Sequence, residues 1–285
     1  MYKRQLPFLI GTGLAILYRI VNPIGWGLIL KGMGQPVCLV NASKIWLMSE
    51  SRRWLPGGVW GYASRAVAST KLGITKTTAS ASMAIELLIT IAAAVLVSLA
   101  GIAWHYAELS SAFHSLLQEQ QLETSHVGIA IGLTLLAAIV LVAKRSMLTR
   151  KFEKAIQKFS ALKGTKINRR IVVHSLSYMV LMAALNGAVN STLLPAINPS
   201  HVPVVAMIAA TAAAWAIGFL AIFSPGGIVV RESALATLLL PWLPWEAGFA
   251  LAILSRFAQL IAEVVGMLLV ISLDLWASTT TQPAT

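Results

Sequence analysis

The sequence predicts an all-α, polytopic transmembrane helix bundle with about 6–8 membrane segments. Of its 285 residues, 57% are hydrophobic and only 11% are charged, whereas a soluble domain carries about 25% charged residues. Several stretches run for roughly 20 residues with almost no charge, which is the length that a helix needs to cross a bilayer. This composition excludes a water-soluble enzyme, and we expect no nucleic-acid partner.

The apolar stretches place the membrane segments in order along the chain. Four of them are the clearest, at 81–103, 127–143, 171–194 and 202–223. A further stretch at 6–30 is interrupted by Arg19 and Pro23, and 249–273 is apolar but carries Arg256 and Glu263. The stretch at 37–55 is a weaker candidate, because charged residues give it a polar side.

The net charge of +12 is concentrated in one part of the chain. Ten of the 22 Lys and Arg residues fall within 144–170. Positive charge is enriched in cytoplasmic loops, so we expect a cytoplasmic basic loop at 144–170. The loop at 105–126 holds three glutamates and neither Lys nor Arg, and we therefore place it outside.

The chain is predicted to be one membrane domain, 1–285, with two pseudo-repeated halves. The first half covers about 1–143 and the second about 171–276, with the basic loop between them. Each half contains one Pro-Gly-Gly element, and these elements comprise Pro56, Gly57, Gly58, Pro225, Gly226 and Gly227. Duplicated halves with such interruptions at matching positions point to a transporter's binding site.

Pro-Gly-Gly predicts a broken or re-entrant helix, because proline lacks an N–H and glycine tolerates positive φ. At membrane depth such backbone survives only where it is buried in protein or lines a wet cavity. The alternative is an ordinary turn between two spans. Whether 229–240 is a re-entrant half-helix or a crossing decides if the halves are parallel or inverted, and the sequence leaves both open.

Charged residues accompany both elements. Arg53 and Arg65 flank the first, and Arg231 and Glu232 follow the second; Glu86 and Arg256 come about thirty residues after the respective prolines. Arg256 and Glu263, if central and unpaired, would cost about 5–7 kcal/mol, so we expect them to face protein. Their expected partners are Glu86, Arg231, Glu232 or a lipid headgroup. The alternative role is a structural ion pair between helices.

Other chemistry is not indicated. The single cysteine, Cys38, excludes an intrachain disulfide and a cysteine-based metal site. The sequence contains no phosphate-binding loop, dinucleotide fingerprint or zinc motif. We therefore expect no cofactor, no bound metal and no enzymatic activity. The short charged start before Leu6 favours a truncated reading frame over a signal peptide.

The two elements also carry a family resemblance. Leu55-Pro56-Gly57-Gly58 with a trailing arginine, and Pro225-Gly226-Gly227 followed by Val-Arg-Glu, resemble the flippase-like transmembrane region of the lysylphosphatidylglycerol synthase family. The resemblance implies a multi-pass protein of a bacterial or archaeal inner membrane. It implies that the protein binds and translocates a phospholipid or a lipid-linked headgroup.

The resemblance also implies the partners. These are membrane lipids, anionic or aminoacylated, with a lipid-modifying enzyme as a further candidate. The soluble aminoacyltransferase domain of two-domain relatives is not part of this sequence, so we do not expect synthase activity. The alternative function is a non-transporting membrane scaffold, or an accessory subunit of a cell-envelope lipid-modifying or glycosyl transferase.

Overall fold

A computed structural model describes residues 4–54, 60–111, 169–221 and 227–280, and these residues contain helices and no β-strand. In chain order the helices are α1 (Gln5–Val21), α2 (Ile24–Gly32), α3 (Leu39–Glu50), α4 (Trp60–Ala68), α5 (Lys76–Trp104), α6 (Arg169–Ile197), α7 (Val204–Leu220), α8 (Val230–Leu238) and α9 (Trp245–Thr280). The predicted helical membrane bundle is confirmed.

Among the described residues, four helical stretches are long and apolar enough to cross a membrane, namely Gln5–Gly32, Lys76–Trp104, Arg170–Ile197 and Trp245–Leu275. The first comprises α1 and α2, which are separated by a break at Asn22 and Pro23. The stretch expected at 202–223 forms the shorter helix α7, which has 17 residues. The span predicted at 127–143 lies outside the described residues.

The bundle has two ends, which we call the Lys76 end and the Trp104 end after the termini of α5. Gly32 at the end of α2 contacts Ile171 at the start of α6, and this contact belongs to the Lys76 end. Gly11 near the start of α1 contacts Leu193 near the end of α6, at the Trp104 end. Helices α1 and α6 therefore run in opposite directions through the bundle.

Helices α3 and α4 form a first hairpin that enters from the Lys76 end. Val37 precedes α3 and Ile74 follows α4, and both belong to one buried cluster with Trp26 and Ala79. Since α3 has 12 residues and α4 has nine, they reach about 18 and 14 Å. Neither crosses a hydrocarbon core of about 30 Å. The weak span predicted at 37–55 is thus one arm of a hairpin.

Helices α7 and α8 form a second hairpin that enters from the Trp104 end. The start of α7 packs on the end of α5, because a Cβ on Gly101 would lie 2.1 Å from that of Ala209. Trp242, which follows α8, contacts the ring of His105 at 5.4 Å between centroids. Both hairpin ends therefore meet the same terminus of α5. The segment at 229–240 returns toward the end of the bundle at which α7 begins, and the two hairpins enter from opposite ends of the bundle.

The start of the second arm of this hairpin is held against the first arm by two glycines. Gly227 has a φ of +67°, and a Cβ there would lie 2.7 Å from the carbonyl oxygen of Gly218. A Cβ on Gly218 would in turn lie 2.7 Å from that of Arg231. Val229 also has a positive φ, 71°, which is a genuine outlier for a β-branched residue. The chain therefore enters α8 through a close and strained turn.

This turn gives a stability prediction. We expect Gly227→Ala to lower the free energy of unfolding in detergent by more than the roughly 1–2 kcal/mol that a left-handed backbone costs a non-glycine residue, because the added methyl also overlaps backbone. Gly34→Ala is the matched control, since Gly34 has a φ of +77° and nothing within 4 Å of its Cβ position. Thermal unfolding of both variants measures the difference. An equal loss in both would show that the contact with Gly218 is not tight.

Candidate functional site

A polar cavity lies between the two hairpins and the long helices. Its volume is about 150 Å³, well above the roughly 10–15 Å³ that a single water molecule needs. Of the residues that the structure describes, three arginines and two glutamates line it, and these are Arg19, Arg65, Arg231, Glu50 and Glu86. Glu86 lies about ten residues into α5, hence about 15 Å from the Lys76 end. The cavity therefore reaches the middle of the bundle.

Arg65 donates hydrogen bonds to three side chains at the cavity. Its side chain is 2% exposed and comes from α4, the second arm of the first hairpin. Nη1 donates to Oε2 of Glu86 at 2.8 Å, Nη2 to Oε2 of Glu50 at 3.0 Å, and Nε to the hydroxyl of Ser49 at 3.1 Å. One guanidinium thus joins α3, α4 and α5, using the fork geometry that suits arginine.

Aromatic rings complete this arginine site. The guanidinium carbon of Arg65 lies 4.9 Å from the ring of Trp46 and 5.4 Å from that of Trp26, distances at which a cation–π attraction is favourable. The indole of Trp46 also donates to Oε1 of Glu86 at 2.9 Å. Both carboxylate oxygens of Glu86 therefore accept hydrogen bonds. Trp46, Glu50 and Ser49 were not predicted as site residues.

Arg19 and Glu263 form a second intramembrane pair, between α1 and α9. Nη2 of Arg19 lies 2.5 Å from Oε1 of Glu263, and both side chains are buried. From the sequence, Glu263 was expected to have its partner near the second Pro-Gly-Gly element, on α5 or in a lipid headgroup. The structure instead gives it a partner near the start of the chain, where Arg19 stood out only as an interruption of an apolar stretch.

Glu232 and Arg256 form a third pair, between α8 and α9. Arg256 donates through Nε to Oε1 of Glu232, which was among its predicted partners. Glu232 is 5% exposed. Its other oxygen, Oε2, is buried and accepts no hydrogen bond from the residues that the structure describes. The carboxylate is thus held on one side only, at the first turn of α8, where a helix favours negative charge.

Arg231 lies beside this pair and lines the cavity. Its Nη1 donates to Oε1 of Gln259 at 3.3 Å, and Nε2 of Gln259 donates to Oδ1 of Asn186 at 3.3 Å. The chain of amides joins α8, α9 and α6. Neither amide was predicted, because a single Asn or Gln in an apolar helix carries no motif. Their signal is polarity within a long apolar stretch.

Not every predicted site residue is described. Pro56, Gly57, Gly58, Pro225 and Gly226 lie outside the described residues, as does most of the loop at 144–170. Arg53 falls in the short helix Ser51–Trp54, and its side chain is not described. Of the remaining predicted residues, Arg65, Glu86 and Arg231 line the cavity. Gly227, Glu232, Arg256 and Glu263 belong to the elements around it.

The described fold and cavity can be set beside known proteins. The family model described as the lysylphosphatidylglycerol synthase TM region matches residues 4–266. The chain belongs to this family. No curated protein matches the chain significantly.

Membership of the lysylphosphatidylglycerol synthase TM-region family makes the chain an integral, multi-pass membrane protein. Every residue that lines the cavity falls between Ala15 and Ala262, within the matched part of the chain. Among the residues that the structure describes, no group of three or more His, Cys, Asp or Glu could hold a metal ion. The polar groups that line the cavity include guanidinium, carboxylate, amide and hydroxyl groups.

Proposed function

We propose that the protein translocates a phospholipid or a lipid-linked headgroup across the membrane, with the headgroup in the polar cavity. The observation that carries this proposal is a cavity with three arginines at the middle of a bundle of apolar helices. Ionisable groups inside a membrane are costly and mark substrate pathways. Arginine binds phosphate through two parallel hydrogen bonds, so an anionic or aminoacylated phospholipid suits the cavity.

The orientation belongs to the same proposal. Lys71 and Lys76 lie at the Lys76 end, and Arg170 at the start of α6 lies there too. By the positive-inside rule this end faces the cytoplasm of the plasma membrane, together with the basic loop at 144–170. The first hairpin then enters the membrane from the cytoplasmic side and the second from the opposite side.

A scaffold without transport is the second candidate, and a specific observation favours it. Arg19–Glu263, Arg65–Glu86 and Glu232–Arg256 each join two helices. A bundle held together by such pairs needs no ligand. The two candidates differ in whether the cavity must admit a headgroup for the protein to function.

Reconstitution tests the proposal. We expect proteoliposomes that contain the protein and acyl-chain NBD-labelled phosphatidylglycerol to lose fluorescence from both leaflets when dithionite is added outside. Protein-free liposomes should lose only the signal of the outer leaflet. Lys44→Met is the matched control variant, because Lys44 pairs with Asp274 at 2.6 Å outside the cavity. This variant should keep the activity.

The opposite result would exclude translocation. In that result, dithionite removes no more fluorescence from liposomes with folded protein than from protein-free liposomes, both for phosphatidylglycerol and for lysylphosphatidylglycerol. Binding of either lipid without bleaching would support the scaffold.

A further inference from the structure

An ion pair joins each hairpin to the long helix that follows it, and the acidic and basic residues are on opposite partners in the two pairs. In the first hairpin the second arm α4 supplies the arginine, Arg65, and α5 supplies the carboxylate, Glu86. In the second hairpin the second arm α8 supplies the carboxylate, Glu232, and α9 supplies the arginine, Arg256. In each half of the chain, the pair joins the second arm of the hairpin to the long helix that follows it.

The two ties belong to hairpins that enter the bundle from opposite ends. Val37 and Ile74, which flank the first hairpin, pack together at the Lys76 end. Trp242, which follows the second hairpin, contacts His105 at the Trp104 end. Displacing one hairpin therefore opens a route to the cavity from one end only. Halves with inverted topology, each opening to one side, are the structural basis of alternating access.

The two ties are also unequally satisfied. Both oxygens of Glu86 accept hydrogen bonds, from Trp46 and from Arg65. Arg65 in turn has further bonds to Glu50 and Ser49. Within the described part of the chain, Glu232 is bonded through one oxygen, and its other oxygen is buried without a hydrogen bond. A buried acceptor that lacks a donor costs free energy, so the second tie is the weaker one.

We propose that the Arg65–Glu86 and Glu232–Arg256 pairs are the two gates of the cavity, the first controlling access from the Lys76 end and the second access from the Trp104 end. In the conformation described, the first gate is locked and the second is the one that opens first. The proposal rests on the translocation function and adds how access alternates. Opening requires a pair to break, and a phosphate competes with a carboxylate for the guanidinium in both gates.

The exchanged charges then have a functional meaning. At the first gate the guanidinium lies on the hairpin, so a headgroup phosphate that displaces Glu86 binds to the hairpin arm. At the second gate the guanidinium lies on the long helix α9, so a phosphate that displaces Glu232 binds to that helix and releases the hairpin arm. The same anionic headgroup can thus open both gates, by binding the hairpin arm at the first gate and the long helix at the second.

Thiol accessibility tests the gates without any lipid substrate. Ala183 lines the cavity, and Ala183→Cys in a Cys38→Ser background places a reporter there. Cys38 has to be removed because it is exposed and because backbone hydrogen bonds from Asn41 and Val40 lower the pKa of its thiol. A membrane-impermeant maleimide is applied to right-side-out and inverted vesicles.

Two further reporters identify the ends of the bundle in those vesicles. Cys38 itself, in the otherwise unchanged protein, marks the Lys76 end, since it follows Val37 in the chain. Ser200→Cys in the Cys38→Ser background marks the Trp104 end, because the exposed Ser200 lies between α6 and α7. These two thiols should react from opposite faces of the membrane.

We expect Glu232→Gln to increase the labelling of the Ala183→Cys thiol several-fold from the Trp104 end only. Glu86→Gln should increase it several-fold from the Lys76 end only. Before either change, labelling should be faster from the Trp104 end, because the weaker Glu232–Arg256 pair controls access from that end. The charge exchange Glu232→Arg with Arg256→Glu should return labelling close to its starting level, which also shows that the protein folds.

Some results would overturn the proposal. These are an increase from the same face in both variants, no change in either variant, or a charge exchange that labels like Glu232→Gln alone. Because the readout needs no labelled lipid, the gates can fail this test while the protein still translocates labelled phosphatidylglycerol. They can also pass it while the protein translocates nothing, so the two proposals fail separately.

Discussion

Replacing Arg65 with methionine should produce the largest loss of stability of any change at the cavity. Removing one partner of a buried ion pair costs about 3–5 kcal/mol, because the remaining charge loses its compensation. Here the guanidinium is 2% exposed and bonds to two carboxylates, at 2.8 and 3.0 Å. We therefore expect Arg65→Met to unfold at a much lower temperature in detergent, with a sharply reduced yield of inserted protein.

The control for this prediction is the exposed pair of Lys44 and Asp274. Their ionic atoms lie 2.6 Å apart and the side chain of Asp274 is 64% exposed, so Lys44→Met should cost only about 0–1 kcal/mol. The double variant Arg65→Met with Glu86→Gln should recover part of the loss, because it removes one uncompensated charge. Melting temperatures of Arg65→Met and Lys44→Met that fall equally would show that burial does not strengthen the Arg65 network.

Substitution of Arg231 should cause the largest loss of lipid translocation among the changes at the cavity, with a much smaller loss of stability than Arg65→Met. We expect Arg231→Ala to abolish bleaching of inner-leaflet label, since its guanidinium lines the cavity at the start of α8. The positive end of the helix there already favours an anion. Arg231→Lys should fold and insert normally but translocate more slowly, because an ammonium cannot form the paired hydrogen bonds of a guanidinium fork with phosphate.

The competing role of Arg231 is a structural tie through Gln259 and Asn186. A tie predicts that both Arg231 variants melt at lower temperature while the surviving protein binds lipid normally. Gln259→Leu separates the roles, because it removes the amide acceptor and keeps the arginine. Melting temperature and phosphatidylglycerol affinity are measured on the same preparations. Unchanged affinity in Arg231→Ala would rule out the headgroup role.

The sequence predicted the long helices well because their apolar content is a local property. The predicted spans at 81–103 and 171–194 lie inside α5 and α6, since about 20 apolar residues suffice to define a span. The short arms were harder to predict. An arm of nine residues, such as α4 or α8, is too short and too polar to be told from a loop by composition. How far it reaches into the bundle follows only from its packing.

The pairings in the cavity were largely beyond a single sequence. Glu232 and Arg256 are 24 positions apart along the chain, and Glu232 was one of several partners expected for Arg256. Arg19 and Glu263 are 244 positions apart, and no periodicity relates the register of two helices so distant in sequence. The amides of Asn186 and Gln259 gave no motif at all. What the sequence conveyed was that intramembrane charges need partners, rather than which partners they have.

The backbone at Val229, directly before α8, is strained. A side chain branched at Cβ is held at a φ of 71° directly before the helix that carries Arg231 and Glu232. A residue in so sparsely populated a region stores about 1–3 kcal/mol, and a return to negative φ would release it. That energy corresponds to a shift of about 5- to 150-fold in the population of two conformations. Any movement of the second hairpin that relaxes Val229 is favoured by this amount before a lipid contributes anything.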